Sequence, residues 1–142
     1  MPCIGQENIY KDANYEVGQI WTYDTRDGED SSTVTIVAIE NTKKHGVIIS
    51  VFIDGLDIKN PGVEGGINKQ IKHLAFSKDA INSSVVKLKQ KTEALPDYSE
   101  EYEKWHRDFI AGKAPFFDIT VKDAVQQLED AVNPDIKKIK AR

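Results

Sequence analysis

The chain has 142 residues, which suits one domain with a substantial hydrophobic core. Its formal net charge is −4 and its pI is near 5.4, so it has no general attraction to nucleic-acid phosphates or anionic lipid. Cys3 is the only cysteine, which excludes an intrachain disulfide and a thiolate metal cluster.

Residues 1–16 show no clear hydrophobic period, and we interpret them as an irregular lead-in to the domain. The opening residues lack the basic and apolar regions of a signal peptide. Nowhere does the chain carry an apolar run long enough to cross a bilayer. We therefore expect a cytoplasmic protein with no membrane association.

Two strands are predicted before the centre of the chain. Ile20–Tyr23 is made of β-branched and aromatic residues, and the polar segment after it contains Asp27-Gly28, which is typical of a hairpin loop. Residues 33–40 alternate in the manner of a second strand, and a short polar turn follows. Because such short connections cannot support parallel pairing, the pattern predicts an antiparallel meander.

The longest apolar run, residues 47–53, is predicted to be the central strand. Its β-branched residues occupy both faces, so both faces of the sheet must be covered at this point. At its end, Asp54-Gly55 is either a bulge that lets Leu56 and Ile58 continue the strand, or a turn that makes them a separate strand. We favour the bulge.

The second half changes to a helical period. Residues 71–76 are a further strand candidate, and helices are predicted over Lys78–Lys89, from Asp97 or Ser99 to Ile110, and from the Thr120 cap to Val132. Residues 133–142 read as a flexible basic tail.

The fold class predicted from these elements is α+β. A bent antiparallel sheet of four or five strands, open or barrel-like, occupies residues 17–76, and the three helices of residues 77–132 pack on it. The single domain spans residues 17–132.

Four polar residues are candidate catalytic groups. Asp54 and Asp57 follow the central strand, where close carboxylates could form an acid/base pair. His73 lies between apolar residues that could tune its proton affinity, and Arg26 follows the first strand. The alternative is that Asp54 is a turn residue before Gly55 and that Asp57 and Lys59 form a charge pair on an edge strand. We favour this alternative.

Trp21, Tyr23 and Lys59 are candidate binding residues. Aromatic side chains on an exposed sheet face stack bases in nucleic-acid-binding barrels. Trp21 and Tyr23 are two residues apart and so share one face, which is also the pattern of core residues. We favour the core.

The chain resembles a small family of uncharacterised bacterial proteins. The segments that carry the resemblance are residues 17–26, residues 54–61, residues 71–77, and Tyr102-Glu103-Lys104-Trp105 with Gly112-Lys113. The resemblance implies a bacterial origin and no known activity, and it assigns no functional residue.

No nucleotide-binding, nucleophile-elbow or metal-ligand motif occurs, so we expect no cofactor and no metal. The leading hypothesis is a non-catalytic binding protein whose partner is another protein or a second copy of the chain. The alternatives are a small hydrolase or nuclease with a site assembled from distant segments, and a nucleic-acid-binding barrel, although the acidic charge makes nucleic acid an unfavourable partner.

Overall fold

A computed structural model describes residues 10–133. It contains three helices, which are α1 (Lys78–Ser84), α2 (Ser99–Ile110) and α3 (Val121–Val132). Its strands are, in chain order, β1 (Gln19–Tyr23), β2 (Thr33–Thr42), β3 (Gly46–Asp54), β4 (Ile58–Lys59), β5 (Ile67–Asn68), β6 (Ile71–Ser77) and β7 (Val85–Lys91).

Five of the strands form one antiparallel sheet in the order β6-β3-β2-β1-β7, and β4 and β5 form a separate small pair. β6 and β7 are the two ends of the sheet and do not pair with each other, so the sheet is not closed into a barrel. The predicted α+β class is confirmed.

β3 is the central strand, as the apolar run predicted. Ile49, Val51 and Ile53 point to one face and are fully buried in the main core. Ile48 and Phe52 point to the opposite face and are also buried. The sheet is therefore covered on both sides of β3, and the two sides are called the core face and the α2 face.

Helices α1 and α3 cover the core face. Ile81 of α1 and Val125 of α3 pack in one cluster with Phe76 of β6. The lead-in contributes as well, because the ring of Tyr15 is buried in the same cluster and its hydroxyl donates to Asn82 Oδ1 at 2.6 Å. At least the last part of the lead-in thus packs on the domain, while residues 1–9 lie outside the described residues.

Helix α2 lies across the other face through an aromatic stripe, with Tyr102 and Trp105 both beside the His73 ring of β6. The chain reaches this helix by crossing the sheet. The segment between β7 and α2 starts next to Gly18, which precedes β1, and there Thr92 N donates to Gly18 O at 2.8 Å. It ends next to β6, where Lys72 Nζ lies 3.3 Å from Asp97 Oδ2.

The end of α2 and the start of α3 follow their capping residues. The α2 helix ends before Gly112, whose positive φ of 76° and bond from its N–H to Phe109 O reverse the chain. Thr120 caps α3 by accepting a hydrogen bond from Asp123 N at 3.2 Å. Both helices therefore occupy the predicted spans, but the predicted cap of α2 at Asp97 or Ser99 is wrong, because Tyr98 stands at the N-cap position and makes no side-chain capping bond. The predicted basic tail lies outside the described residues, except for Asn133.

The helix predicted over Lys78–Lys89 is wrong in its second half. It ends at Ser84, and Val85–Lys91 form strand β7 beside β1. Ser84 is locked into the end of the helix, since its hydroxyl donates to Ala80 O at 2.7 Å and accepts from Val121 N at 3.0 Å. Pairing with β1 then overrides a helical period that Val85 and Leu88 also satisfy.

The bulge favoured at Asp54-Gly55 is also wrong. β3 ends at Asp54, and Ile58 pairs with Asn68 in the small β4–β5 pair instead of continuing β3. Gly55 has a φ of +76°, a conformation that turns the chain away from the strand direction. A Cβ at Gly55 would lie 2.9 Å from Ser32 Cα, so only glycine fits against the neighbouring loop.

Candidate functional site

The outer side of β7 is the most open part of the sheet, and we call it the β7 edge. Within residues 10–133, β7 pairs with β1 on one side and with no strand on the other. Every residue from Val86 to Lys91 is exposed, and Val86 and Leu88 expose 71% and 42% of their surface. Exposed valine and leucine side chains on an unpaired edge strand are uncommon where the surface has no binding partner.

Three lysines alternate with the other residues of this strand. Lys91 pairs with Glu16 at 2.8 Å, whereas Lys87 and Lys89 form no ion pair with any residue of the described part. The β7 edge thus carries positive charge on a chain whose net charge is negative.

A shallow depression of about 370 Å³ opens beside these lysines. Lys87 and Lys89 form one side of it, and the hydroxyl residues Thr22, Ser31 and Thr33 belong to the other. Asp30 is the one acidic residue in its wall. The depression extends the basic strip of β7 toward the β1–β2 loop.

The opposite edge of the sheet is covered at the end of β6. The backbone beside the end of β6 is occupied by Phe117, whose N–H donates to Ala75 O at 2.8 Å and whose carbonyl accepts from Ser77 N at 2.9 Å. The contrast between the two edges makes the β7 edge the candidate binding site.

Arg26 and Asp57, two of the candidate catalytic residues, lie together at a second depression of about 550 Å³. Arg26 makes a two-point ion pair with the buried Glu29 and also contacts Glu129 of α3 at 3.1 Å. The hydrogen bond to Glu29, together with the negative charges of Glu29 and Glu129, raises the pKa of Arg26 above its usual range, although burial opposes this. Lys59 lines the same depression.

Every donor of the Arg26 guanidinium is already used. Besides Glu29 and Glu129, it contacts Gln126 Oε1 at 3.1 Å and Asp57 O at 3.4 Å. These bonds account for the five N–H groups of an arginine. A substrate anion would have to displace one of the carboxylates, so the arrangement favours a structural contact over a substrate site. We call the hydrogen bonds of Arg26, Glu29 and Glu129, which join the β1–β2 loop, β4 and α3, the clasp.

Asp57 and Lys59 take part in this clasp through their backbones. Asp57 N donates to Glu29 Oε2 at 2.7 Å, and Lys59 N donates to Glu129 Oε2 at 2.8 Å. Burial opposes ionisation of Glu129, but the Lys59 N–H and Arg26 hold its pKa below the usual range. Glu29 and Glu129 were missed by sequence reasoning, because isolated glutamates far apart in the chain carry no local signal.

The other two catalytic candidates lie elsewhere. Asp54 is exposed and accepts hydrogen bonds from Gly55 N at 2.9 Å and Gln70 Nε2 at 3.3 Å, the contacts of a turn residue. His73 lies on the α2 face, where its Nε2 is 2.8 Å from Ser50 Oγ. His73 and Asp57 therefore do not share a cleft.

A polar cluster surrounds His73 beneath α2. Burial lowers the pKa of His73 to about 4. Next to it, Tyr102 donates its hydroxyl to Glu40 Oε1 at 2.6 Å, and His106 Nε2 is 2.9 Å from Glu40 Oε2. Burial, followed by the Glu40 carboxylate, raises the pKa of Tyr102. These contacts join α2 to Glu40 of β2 and to His73 of β6.

The candidate binding aromatics belong to the core face. Tyr23 is buried, its hydroxyl lies 2.7 Å from Ser32 Oγ, and burial raises its pKa to about 12. Trp21 packs edge-on against Tyr15 at 5.6 Å between ring centroids and donates to Gln19 Oε1 at 3.1 Å. Neither ring is placed for stacking on a base.

Two further features of the described part bear on partners and ligands. Within residues 10–133, no helix combines the length and hydropathy needed to cross a bilayer. In the same part of the chain, histidine, cysteine and acidic side chains do not gather in threes at a point that could hold a metal ion.

Comparisons with known proteins assign no role to any residue. No family model matches the chain, and neither the curated proteins nor the solved structures contain a significant match. The resemblance to an uncharacterised bacterial family therefore stays an expectation from the sequence.

Proposed function

We propose that this chain is a non-catalytic binding protein that accepts an extended segment of another protein as an additional strand on the β7 edge. The observation that carries the proposal is the unpaired outer side of β7, together with the exposed Val86 and Leu88. Main-chain hydrogen bonds would supply most of the affinity of such a contact, and alternate side chains would supply its specificity.

The lysines of β7 fit this function and also protect the free chain. Charged side chains on an edge strand discourage uncontrolled pairing with other molecules of the same protein. A partner strand of complementary charge overcomes this repulsion, whereas the edge strand of an unrelated protein does not. The β7 edge therefore selects its partners by charge.

The experiment selects partners without presupposing their sequence. A displayed library of random segments, about nine residues long to match a strand, is panned on the full chain. We expect selected segments whose binding shifts the backbone amide signals of β7 and β1 in NMR spectra. N-methylation of alternate residues in the segment should abolish binding, because it removes the donors of the strand pairing.

A pair of matched variants locates the contact. Leu88 and Ile67 are exposed to the same degree, 42% and 43%, but only Leu88 lies on the β7 edge. Leu88→Thr should weaken the selected segments about tenfold, while Ile67→Thr leaves them unchanged. Amide shifts confined to another surface, or no loss on N-methylation, or no selected segment at all, would overturn the proposal.

A small hydrolase is the second candidate, and one observation favours it. Arg26, Asp57 and Lys59 line the same depression, as an assembled site requires. Hydrolysis of p-nitrophenyl ester and phosphate substrates tests this reading. Turnover that is lost in Asp57→Asn would support it, whereas absence of turnover, or turnover unaffected by this change, would remove it.

A further inference from the structure

We infer that the segment accepted by the β7 edge is acidic, with carboxylates at the positions that face Lys87 and Lys89. This inference rests on the proposed function and adds the chemistry of the partner. Its basis is the placement of the charges on β7, which the exposure of the strand alone does not explain.

The charges of Lys87 and Lys89 are free within the described residues. Lys91 is paired with Glu16, whereas Lys87 and Lys89 have no acidic partner within residues 10–133. Opposite charges that face each other across a strand pair stabilise the pair, and like charges destabilise it. The register of β7 against β1 shifts at Val86 and at Lys89, so the two lysines do not follow a regular alternation. An incoming strand that carries glutamate or aspartate at several positions places carboxylates beside both lysines.

A second copy of this chain fits the edge poorly. In a symmetric antiparallel pair centred on Leu88, Lys87 of one copy faces Lys89 of the other. A pair centred on Lys89 sets Lys87 against Lys91. Both arrangements place ammonium groups opposite each other, so the sequence of β7 opposes self-association and favours an acidic segment.

A nucleic acid is also disfavoured as the occupant. Binding of single strands combines a basic groove with aromatic side chains that stack on the bases. The nearest aromatic residues to β7 are Trp21 and Tyr23 of its neighbour β1, and they belong to the core face. The exposed apolar residues on β7 itself are Val86 and Leu88, which suit the side chains of a peptide strand.

The test compares three labelled peptides that differ only in charge. All alternate valine with a polar residue, which is glutamate in the first, glutamine in the second and lysine in the third. Fluorescence anisotropy with the full chain should show the glutamate peptide binding at least about tenfold more tightly than the lysine peptide. About 0.5 M NaCl should reduce this difference, because salt screens exposed charges.

Charge-reversed variants provide the control. Lys87→Glu with Lys89→Glu should invert the preference between the glutamate and lysine peptides. Lys43→Glu with Lys44→Glu makes the same change in net charge at the exposed β2–β3 turn, and it should leave the preference intact. Thermal unfolding confirms that both double variants are folded.

The outcomes separate the two proposals. Equal binding of the three peptides at β7 would overturn the acidic partner and leave the strand-addition function standing. No binding of any peptide would overturn both. Dimerisation through β7 at micromolar concentration, or tighter binding of a single-stranded oligonucleotide than of the glutamate peptide, would also overturn the acidic-segment inference.

Discussion

Arg26 and Glu29 form a two-point ion pair, in which Nε is 2.9 Å from Oε1 and Nη2 is 2.7 Å from Oε2. The Glu29 side chain is 2% exposed and that of Arg26 is 13% exposed. Because Glu29 also accepts the N–H of Asp57, this pair joins the β1–β2 loop to the chain that follows β3. We therefore expect removal of this pair to destabilise the protein.

Glu29→Gln should lower the free energy of unfolding by about 3 kcal/mol, because it leaves a largely buried guanidinium beside a neutral partner. Urea denaturation monitored by circular dichroism measures the loss. Glu16→Gln is the control, since it removes an exposed ion pair to Lys91 of similar length and should cost far less than Glu29→Gln. Equal losses in the two variants would contradict a structural role for the clasp.

His73 should make the protein less stable in mild acid. Burial lowers its pKa to about 4 in the folded chain, whereas an unfolded histidine titrates near about 6.5. Below that pH the unfolded state binds a proton that the folded state excludes, so stability is complete above about pH 6.5 and is lost as the pH falls toward 4.

The measurement is the free energy of unfolding between neutral pH and pH 4. Allowing for partial solvent screening, we expect His73 to account for a loss of about 2 kcal/mol over this range. His73→Gln should remove this part of the pH dependence. His45→Gln, at an exposed turn residue, should leave it in place. An unchanged slope in His73→Gln would show that His73 is not the responsible group.

Tyr102→Phe tests how α2 is attached to the sheet. The Tyr102 hydroxyl donates to Glu40 Oε1 at 2.6 Å, and bonds to charged acceptors contribute more than neutral ones. We expect a loss of about 1.5 kcal/mol in the free energy of unfolding. Tyr98→Phe is the matched control at the N-cap position of the same helix, because no hydrogen bond of the Tyr98 hydroxyl is found within residues 10–133. A comparable loss in both variants would contradict the importance of the Glu40 bond.

Gly55→Ala should destabilise the protein more than Gly28→Ala. Both glycines have a positive φ, of 76° and 85°, so alanine is strained at either position. A Cβ at Gly55 also meets Ser32 Cα at 2.9 Å, whereas Gly28 has open space around it. We expect a loss of about 1 kcal/mol at Gly28 and at least about 3 kcal/mol at Gly55 in thermal unfolding. Similar losses would show that the Gly55 turn relaxes easily.

Sequence patterns were sufficient for the elements whose determinants are local. Residues 47–53 carry apolar side chains on both faces, so their burial on both sides of the sheet could be predicted. Helix α3 has a capping threonine and an apolar stripe within one short window. Helix α2 ends where Gly112 adopts a positive φ.

The candidate site depended on contacts that no local window contains. Val85–Lys91 satisfy a helical and an extended pattern about equally, and pairing with β1 some 65 residues earlier decides between them. Because residues 85–89 of β7 were predicted as helix, their exposed lysines gave no indication of a sheet edge.

By itself, the sequence determined the α+β class, the buried central strand and the ends of the last two helices, because periodicity and capping act between residues a few positions apart. Only the tertiary structure decided where Arg26 finds its partners, one of which is 103 residues away in the chain. It also decided how the two edges of the sheet differ, since Phe117 covers the end of β6 and no strand within residues 10–133 pairs with the outer side of β7. Both features depend on long-range packing, which the order of residues specifies only through the folded chain as a whole.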